Sequence, residues 1–479
     1  MGTKRNGKGL PCPAINVIQN HIFDQLIAHN LMDSKLIIKN FGPIKNVDLD
    51  LKNVNVFIGQ QASGKSAIAK LFTIFKAPRF FFLKTYKENK LLNSQTSEDV
   101  TNTFLDILKE YNIHSFLGAD TEIEYISELH KIAYKNEVIE YTPSFFIKIE
   151  YLKELATSFQ ENREMLIVHL TAIARKYVRF RIEAERMFKK EIEESEIDYA
   201  YFNKINELNL PSIIKIIEKL EEDLSTHPVV YIPAERNFSN IIKKSALNLM
   251  VHNVPIPKHL LTFGAYLEKI DVAEIDLGFI QIGLKYKNVN GEDRIALGDS
   301  KEILLIESAS GIQSVLPIIE TVLHSGHPLN HNSFVIEEPE LNLFPLAQYG
   351  LIQLLESRRS QYHRWEDTGT IHTYTTHSPY ILSCLNNLLY ADKVKNKIAN
   401  DLRDSGVTDY FEALDKAKNV VGEIVNGTIP PNYFSAYQIA DGMASSIFNR
   451  TTGLIDDNYI DDASEKIDSD FEQLMVLNK

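Results

Sequence analysis

The run Gly59-Gln60-Gln61-Ala62-Ser63-Gly64-Lys65-Ser66-Ala67 specifies chemistry more plainly than any other part of this sequence. It fits the pattern G-x-x-x-x-G-K-[ST] in full. Glycines let a backbone curl until successive N–H groups converge on phosphate oxygens. A helix opening just after the loop would add the partial positive charge of its N-terminus. Lys65 would then reach the β- and γ-phosphates of a nucleotide, and the Ser66 hydroxyl would ligate Mg2+, so ATP and Mg2+ are the expected ligands. A chance loop would lack the right neighbours. Here Val54-Asn-Val-Phe-Ile58 reads as a buried strand before the loop, and Ala67 to Phe75 reads as a helix after it.

Three further segments complete the candidate chemistry. Phe334-Val-Ile-Glu337-Glu338-Pro339-Glu340 puts two glutamates at the end of an apolar run that Pro339 stops. Glu337 would hold the Mg2+ shell, directly or through water, and Glu338 would polarise the attacking water as general base. Taken alone, such a pair is a common solvated turn. Ser308-Ala-Ser310-Gly311-Ile312-Gln313 opens an apolar helical pattern through Val315, Leu316, Ile319, Val322 and Leu323. A Ser-Gly pair there makes an anion site; its ordinary alternative is a serine N-cap. Thr376-His377-Ser378-Pro379 follows the expected strand Thr370–Thr375. A strand-end histidine can hydrogen-bond a γ-phosphate, although a lone histidine is more often structural.

The elements that would position these residues alternate between strand and helix signals. Leu36 to Ile38 is a short apolar run, Phe41-Gly-Pro a turn, and Val47, Leu49 and Leu51 alternate with charges as a half-buried strand does. Val229 to Pro233, Phe279 to Tyr286, a turn at Asn290-Gly291 and Ile303 to Ile306 continue the β pattern, and Ile15 to Ala28 has helical spacing. Strands separated by helices indicate an α/β sheet core. Residues 76–228 are rich in Glu, Lys, Leu and Ile and read as mainly helical. The sequence thus divides into an extension (1–34), a first core part (35–75), a helical insertion (76–228), a second core part (229–395) and a mixed C-terminal segment (396–479). With 44% apolar and 24% charged residues, the composition is that of a globular protein. A net charge of −13 argues against broad coating of nucleic acid. The cysteines, Cys12 and Cys384, exclude a disulfide scaffold and fit a reducing cytosol. No apolar run is long enough to span a membrane, and no signal core follows the basic start.

The order of loop, Ser-Gly helix start, Glu-Glu strand and histidine resembles ABC-type ATPases of the RecF, SMC and OLD branch rather than ring-forming AAA+ motors. The resemblance is tightest at Ile38-Lys-Asn-Phe-Gly-Pro-Ile-Lys-Asn-Val47, Tyr231-Ile-Pro-Ala-Glu-Arg236, Glu337-Glu-Pro-Glu-Leu-Asn-Leu343 and Thr376-His-Ser-Pro-Tyr-Ile-Leu382. Those strings look like the stand-alone ATPases of bacterial anti-phage systems such as PARIS and Septu, as does the Asn458–Glu465 run. The resemblance covers 35–75, 229–395 and the tail. It implies an ABC-type ATPase head with a P-loop sheet core and a largely helical insertion. Ser310, Gly311 and Gln313 match that family's Ser-Gly-Gly-Gln signature, with Ile312 in place of a glycine, and His377 corresponds to its switch histidine. ATP would lie between two subunits, with Ser310 and Gly311 of one facing the γ-phosphate held by Lys65 of the other. The expected partner is therefore a second copy, in a dimer or higher homo-oligomer. Glu337 stands where many ABC proteins have Asp, and Phe344 where relatives often carry histidine.

Three functions follow from this reading. The first is a sensor or scaffold of an anti-phage system, triggered by DNA or a phage protein, that controls a separate nuclease or toxin. The second is a DNA-maintenance ATPase, like RecF or SMC, that clamps duplex DNA. The third is a scaffold that binds ATP and barely hydrolyses it. The stretch after His377 is short for the Toprim nuclease of OLD proteins and lacks its acidic strand pattern; Asp468-Ser-Asp470 reads as a solvated helix face. His324, His327 and His331 fall in a loop broken by Gly326 and Pro328. Arg175, Arg179, Arg186 and Lys190 share a helix face that either meets DNA or an acidic protein or pairs with Glu183 and Glu185. Arg236 either reaches the nucleotide or partner, or pairs with an acid such as Glu235.

Overall fold

Strand β1 (Ser34–Phe41) turns through Gly42 into antiparallel β2 (Ile44–Leu51), the hairpin expected from Phe41-Gly-Pro. Val47, Leu49 and Leu51 point inward and Asp48 and Asp50 outward, the period-two pattern read from the sequence. In this computed structural model the described residues are 34–76, 97–127, 130–143, 229–239, 252, 254–298, 301–324, 333–361, 370–407, 410–456 and 459–477. The chain divides into two compact units. One comprises 34–142 and 225–479; the other, 1–33 and 143–224, falls outside the described residues except for Pro143. The expected helix over 15–28, the basic stripe of 174–190, and Cys12, His327 and His331 lie outside them too.

β3 (Val54–Gly59) is buried on both faces and runs through the glycine loop into helix α1 (Lys65–Lys76). After α2 (Ser97–Glu110) come β4 (Leu117–Ile126), β5 (His130–Lys135) and β6 (Val138–Pro143). Within 117–143 these three strands stand where a helical pattern was expected, while most of 76–228 lies outside the described residues: β4 pairs antiparallel with β1, and the sheet continues through β5 to β6. The Glu and Lys residues that suggested helix instead pair across strands. Glu122 meets Lys39 at 3.0 Å and Lys135 at 2.5 Å, and Glu124 meets Lys131.

Beyond β7 (Val229–Ile232) and a turn of 3-10 helix at Ala234–Asn237 lies α3 (Lys258–Leu267). β8 (Glu274–Asp276), β9 (Leu284–Val289), β10 (Glu292–Leu297) and β11 (Glu302–Leu304) form a separate antiparallel sheet. The strand expected from Phe279 begins only at Leu284, because Phe279 to Gly283 is a turn. The core resumes with α4 (Ser310–His324), β12 (Ser333–Glu337), α5 (Pro345–Gln361), β13 (His372–Thr376), α6 (Pro379–Asp404) and α7 (Tyr410–Gly422). The chain ends with β14 (Phe434–Ala440), β15 (Met443–Ser446), the small pair β16 (Phe448–Asn449) and β17 (Leu454–Ile455), and α8 (Tyr459–Leu477).

The main sheet has 11 strands in the order β6-β5-β4-β1-β2-β15-β14-β3-β13-β12-β7. The block β14-β3-β13-β12-β7 is parallel. One face of that block buries Val54, Val56, Ile58, Ile232, Ile336 and Tyr374 in a cluster with apolar residues of α4, α5 and α6. α1 packs on β3, β7, β12 and β13. The fold is α/β, as expected. The C-terminal segment is not a separate appendage, however: β14 lies beside β3 at the heart of the sheet. Buried Asn55 of β3 ties the block together. Its Nδ2 donates to Thr373 Oγ1 at 3.1 Å, and its Oδ1 accepts from Ser435 Oγ at 2.8 Å. Among the described residues no helix is long and apolar enough to cross a membrane.

Candidate nucleotide site

The C-terminal ends of parallel strands converge at one edge of the sheet, and three of them carry the expected residues. β3 delivers Gly59 to Ser66, β12 delivers Glu337 and Glu338, and β13 delivers His377. The glycine loop is curled by Gly64 at φ +106° and also by Ala62 at φ +60°, a conformation that costs a residue with a side chain about 1–2 kcal/mol. Gly59 is required by a neighbour the sequence did not suggest: a Cβ there would lie 2.2 Å from the carbonyl oxygen of Ile439 on β14. A Cβ on Gly64 would press on Ile44 at 2.8 Å.

Lys65 Nζ donates to the carbonyls of Gly59 and Gln60, each at 2.8 Å, so the side chain curls back over its own loop. Burial lowers its pKa to about 8, against the opposing fields of Glu338, Glu340 and Glu337. Glu337 is buried, and burial pushes its carboxyl up, with Lys70, Tyr231 and Ser66 only partly offsetting it. Its Oε1 makes no hydrogen bond among the described residues, and neither does Ser63 Oγ in the loop. A buried carboxylate oxygen without a donor, beside an exposed serine hydroxyl, suits an oxygen-ligated divalent cation.

Glu338 behaves oppositely. It is half-buried, and the His377 ring beside it holds its carboxyl below the usual carboxylate range. His377 Nε2 lies 3.4 Å from Glu338 Oε1. The Glu338 backbone has φ +43°, a strained conformation for a residue with a side chain. Its N–H donates to Thr375 O at 2.9 Å, and its carbonyl accepts from Arg236 Nη2 at 2.8 Å.

Arg236 forms no ion pair with Glu235 or another acid among the described residues. It is fully buried, and its guanidinium donates to four carbonyls: Ser314 at 2.7 Å, Pro233 at 3.2 Å, Glu337 at 2.7 Å and Glu338 at 2.8 Å. It clamps the end of β12 to α4 and the turn after β7. Burial lowers its pKa to about 10.

The Ser-Gly helix start forms no hydrogen bond or ion pair with the glycine loop among the described residues. Ser310 is exposed at the first residue of α4. Gly311 packs so closely on the loop after β12 that a Cβ would meet Asn342 O at 2.5 Å. Gln313 turns away, donating from Nε2 to Ser308 O at 2.8 Å and Ile306 O at 3.2 Å. Ile312 packs against the core, which accounts for an apolar residue where the signature has glycine. Phe344 is 74% exposed on the same loop.

Two participants escaped the sequence reading. Glu340 Oε1 accepts from Thr376 Oγ1 at 2.8 Å and from the His377 N–H at 2.7 Å. Gln348 bridges the same segments, its Oε1 accepting from Ser378 Oγ at 2.6 Å and its Nε2 donating to Leu343 O at 2.9 Å. The one available signal was the third acid of Glu-Glu-Pro-Glu. Among the described residues no cluster of His, Cys, Asp and Glu forms a further metal site.

Residues 32–254 match the AAA ATPase domain family, a stretch that contains the glycine loop. The chain is an ATPase. No curated protein matches it. Solved structures that align include the Smc head domain with an extended coiled coil bound to the C-terminal domain of ScpA derived from Pyrococcus furiosus, at 11% identity. That alignment covers 87% of this chain and 96% of the other, with a TM-score of 0.30. The SMC head domain from Thermotoga maritima aligns at 8% identity over 87% and 98%, with a TM-score of 0.33. The recombination mediator RecF aligns at 11% over 88% and 100%, with a TM-score of 0.26. At such TM-scores no residue role passes from those proteins to this chain.

Proposed function

We propose that the chain is an ABC-type ATPase whose site is completed by a second copy. In this reading it serves as the sensor or scaffold of a bacterial anti-phage system and controls a separate nuclease or toxin. The observation that carries the ATPase chemistry is the convergence of Lys65, Glu337, Glu338 and His377 at adjoining strand ends. The loop from Gly59 to Ala67 binds the phosphates, and Lys65 neutralises the γ-phosphate. Ser66 and Glu337 hold Mg2+, which when bound offsets phosphate charge. Glu338 takes the proton of the water that attacks the γ-phosphorus, the bond to the β–γ bridging oxygen breaks, and ADP leaves. His377 hydrogen-bonds the γ-phosphate. The half-exposed, low-pKa carboxyl of Glu338 is ready to accept that proton at neutral pH.

The exposed Ser310 supports a partner's role, because it forms no hydrogen bond or ion pair with the glycine loop among the described residues. ATP would then join two copies through contacts to the γ-phosphate, and hydrolysis would release them. Glu338→Gln should bind ATP, release phosphate about 100-fold more slowly, and elute as a larger species with ATP than without. Equal elution in both conditions contradicts ATP-driven assembly. The defence role draws on the strings shared with anti-phage ATPases. It is tested by the adjacent reading frame, which should encode a nuclease or toxin. ATP-dependent retention on duplex DNA at physiological salt, without such a neighbour, would favour the DNA-clamping alternative.

A further inference from the structure

We infer that Glu340 is a positioning residue for His377, holding the histidine backbone so that its ring is presented beside Glu338. This rests on the reading of His377 as the γ-phosphate contact. Glu340 follows Glu337 and Glu338 around a turn in which Leu341 N donates to Glu338 O at 3.0 Å and Leu343 N donates to Glu340 O at 2.9 Å. The turn brings its carboxylate under the end of β13. There Oε1 alone accepts the two bonds, from Thr376 Oγ1 and from His377 N–H. Thr376 Oγ1 in turn accepts the Ser378 N–H at 3.0 Å. Because that hydroxyl already accepts from Ser378, its proton is directed at Glu340. One carboxylate oxygen therefore fixes three successive residues, and His377 is the middle one.

The second oxygen, Oε2, is buried and makes no hydrogen bond among the described residues, and no cation pairs with Glu340 there. A carboxylate kept only for stability would gain by pairing, since buried charge is costly when left without partners. Glu340 carries that cost in order to face the His377 backbone. An anionic acceptor makes shorter and stronger bonds than a neutral one. With the peptide fixed, the imidazole has only its side-chain rotations left, and the 3.4 Å approach to Glu338 restrains those.

The test measures phosphate release and ATP KM for Glu340→Ala, Glu340→Asp and Glu340→Gln, alone and combined with His377→Ala, with melting temperature recorded throughout. Aspartate keeps the charge but withdraws the acceptor by one methylene. Glutamine keeps an acceptor in place. The expected result is a loss in kcat of about 10–100-fold for the alanine and aspartate variants, as misplacement of a reacting group produces. ATP KM should change less than about twofold, glutamine should recover most of the rate, and either change should add almost nothing in the His377→Ala background. Losses that multiply with that of His377→Ala, or that track melting temperature alone, overturn the inference. So does an unimpaired Glu340→Asp enzyme alongside a crippled His377→Ala enzyme. If His377→Ala itself retains full kcat, the underlying reading of His377 fails first, and the role of Glu340 falls with it. Should Glu340→Ala fail to fold, the aspartate and glutamine pair decides by itself.

Discussion

The strand-end cluster and the helix start at Ser310, the two regions we propose to meet phosphate, are finished to different degrees. In the cluster, each functional group is aimed by contacts within its own chain: Lys65 by loop carbonyls, Glu338 by Arg236 and Thr375, His377 by Glu340. At the helix start, Ser310 faces solvent while Gly311, Ile312 and Gln313 are engaged inward. A site that is complete in its own protomer carries its orienting bonds with it. A surface proposed to meet another chain would keep its reactive face bare, as Ser310 does, while the residues after it are held. Arg236 joins the two regions, because the same guanidinium bonds Ser314 of the helix and the carbonyls of both site glutamates.

That contrast can be broken most severely at Lys65. Lys65→Ala should weaken ATP binding about 100-fold, since charge-assisted bonds to phosphate are worth about 1.5–3 kcal/mol each, and phosphate release should vanish. Binding of labelled ATP undiminished by the change would remove the loop from the site. Next comes Arg236→Ala, which removes four buried hydrogen bonds to carbonyls and should lower unfolding free energy by about 3 kcal/mol or more. Arg236→Lys should recover little, because an ammonium cannot reproduce the planar fork. A melting temperature unchanged in both variants would show that the two regions are not joined there.

The smallest effect is one of pH. Lys65 has its pKa lowered to about 8, so it is charged below that value and neutral above it. ATP affinity should hold from pH 6 to 7.5 and fall about tenfold by one unit above the pKa. For stability the sign is the reverse. A lysine with a folded pKa below its unfolded value opposes folding while charged, and the opposition fades as pH rises from about 8 toward 10.5. Titrating ATP affinity in wild type and Lys65→Arg separates the two, because arginine stays charged throughout.

Much of this molecule was legible before any coordinates. β1 to β3, the glycine loop, α1, β7, β12 and β13 stand where period-two burial, apolar runs and turn residues put them. Local pattern was enough because each of these elements has its inward face written in its own residues. The failures share a cause. β4 to β6 were hidden by Glu and Lys residues whose partners lie on neighbouring strands, and charge composition cannot show whether a pair is one helical turn apart or one strand apart. β14 was missed because Phe434-Ser-Ala-Tyr-Gln-Ile-Ala440 is an unremarkable apolar run until β3 is seen beside it. Glu340 and Arg236 were visible as residues, but their roles depend on carbonyls and amides brought together by long-range folding, which no spacing encodes.

The central claim is a composite site, with the loop of one protomer completed by the helix start of another. It is tested most directly by mixing two inactive chains. Lys65→Ala lacks a working loop and keeps its helix start; Ser310→Arg keeps its loop and blocks its helix start. Each alone should release no phosphate. Mixed in equal amounts, random pairing gives half mixed dimers with one intact site apiece, restoring roughly a quarter of the wild-type rate. A mixture as inactive as its components, with both chains folded and Ser310→Arg still binding ATP, would contradict the account.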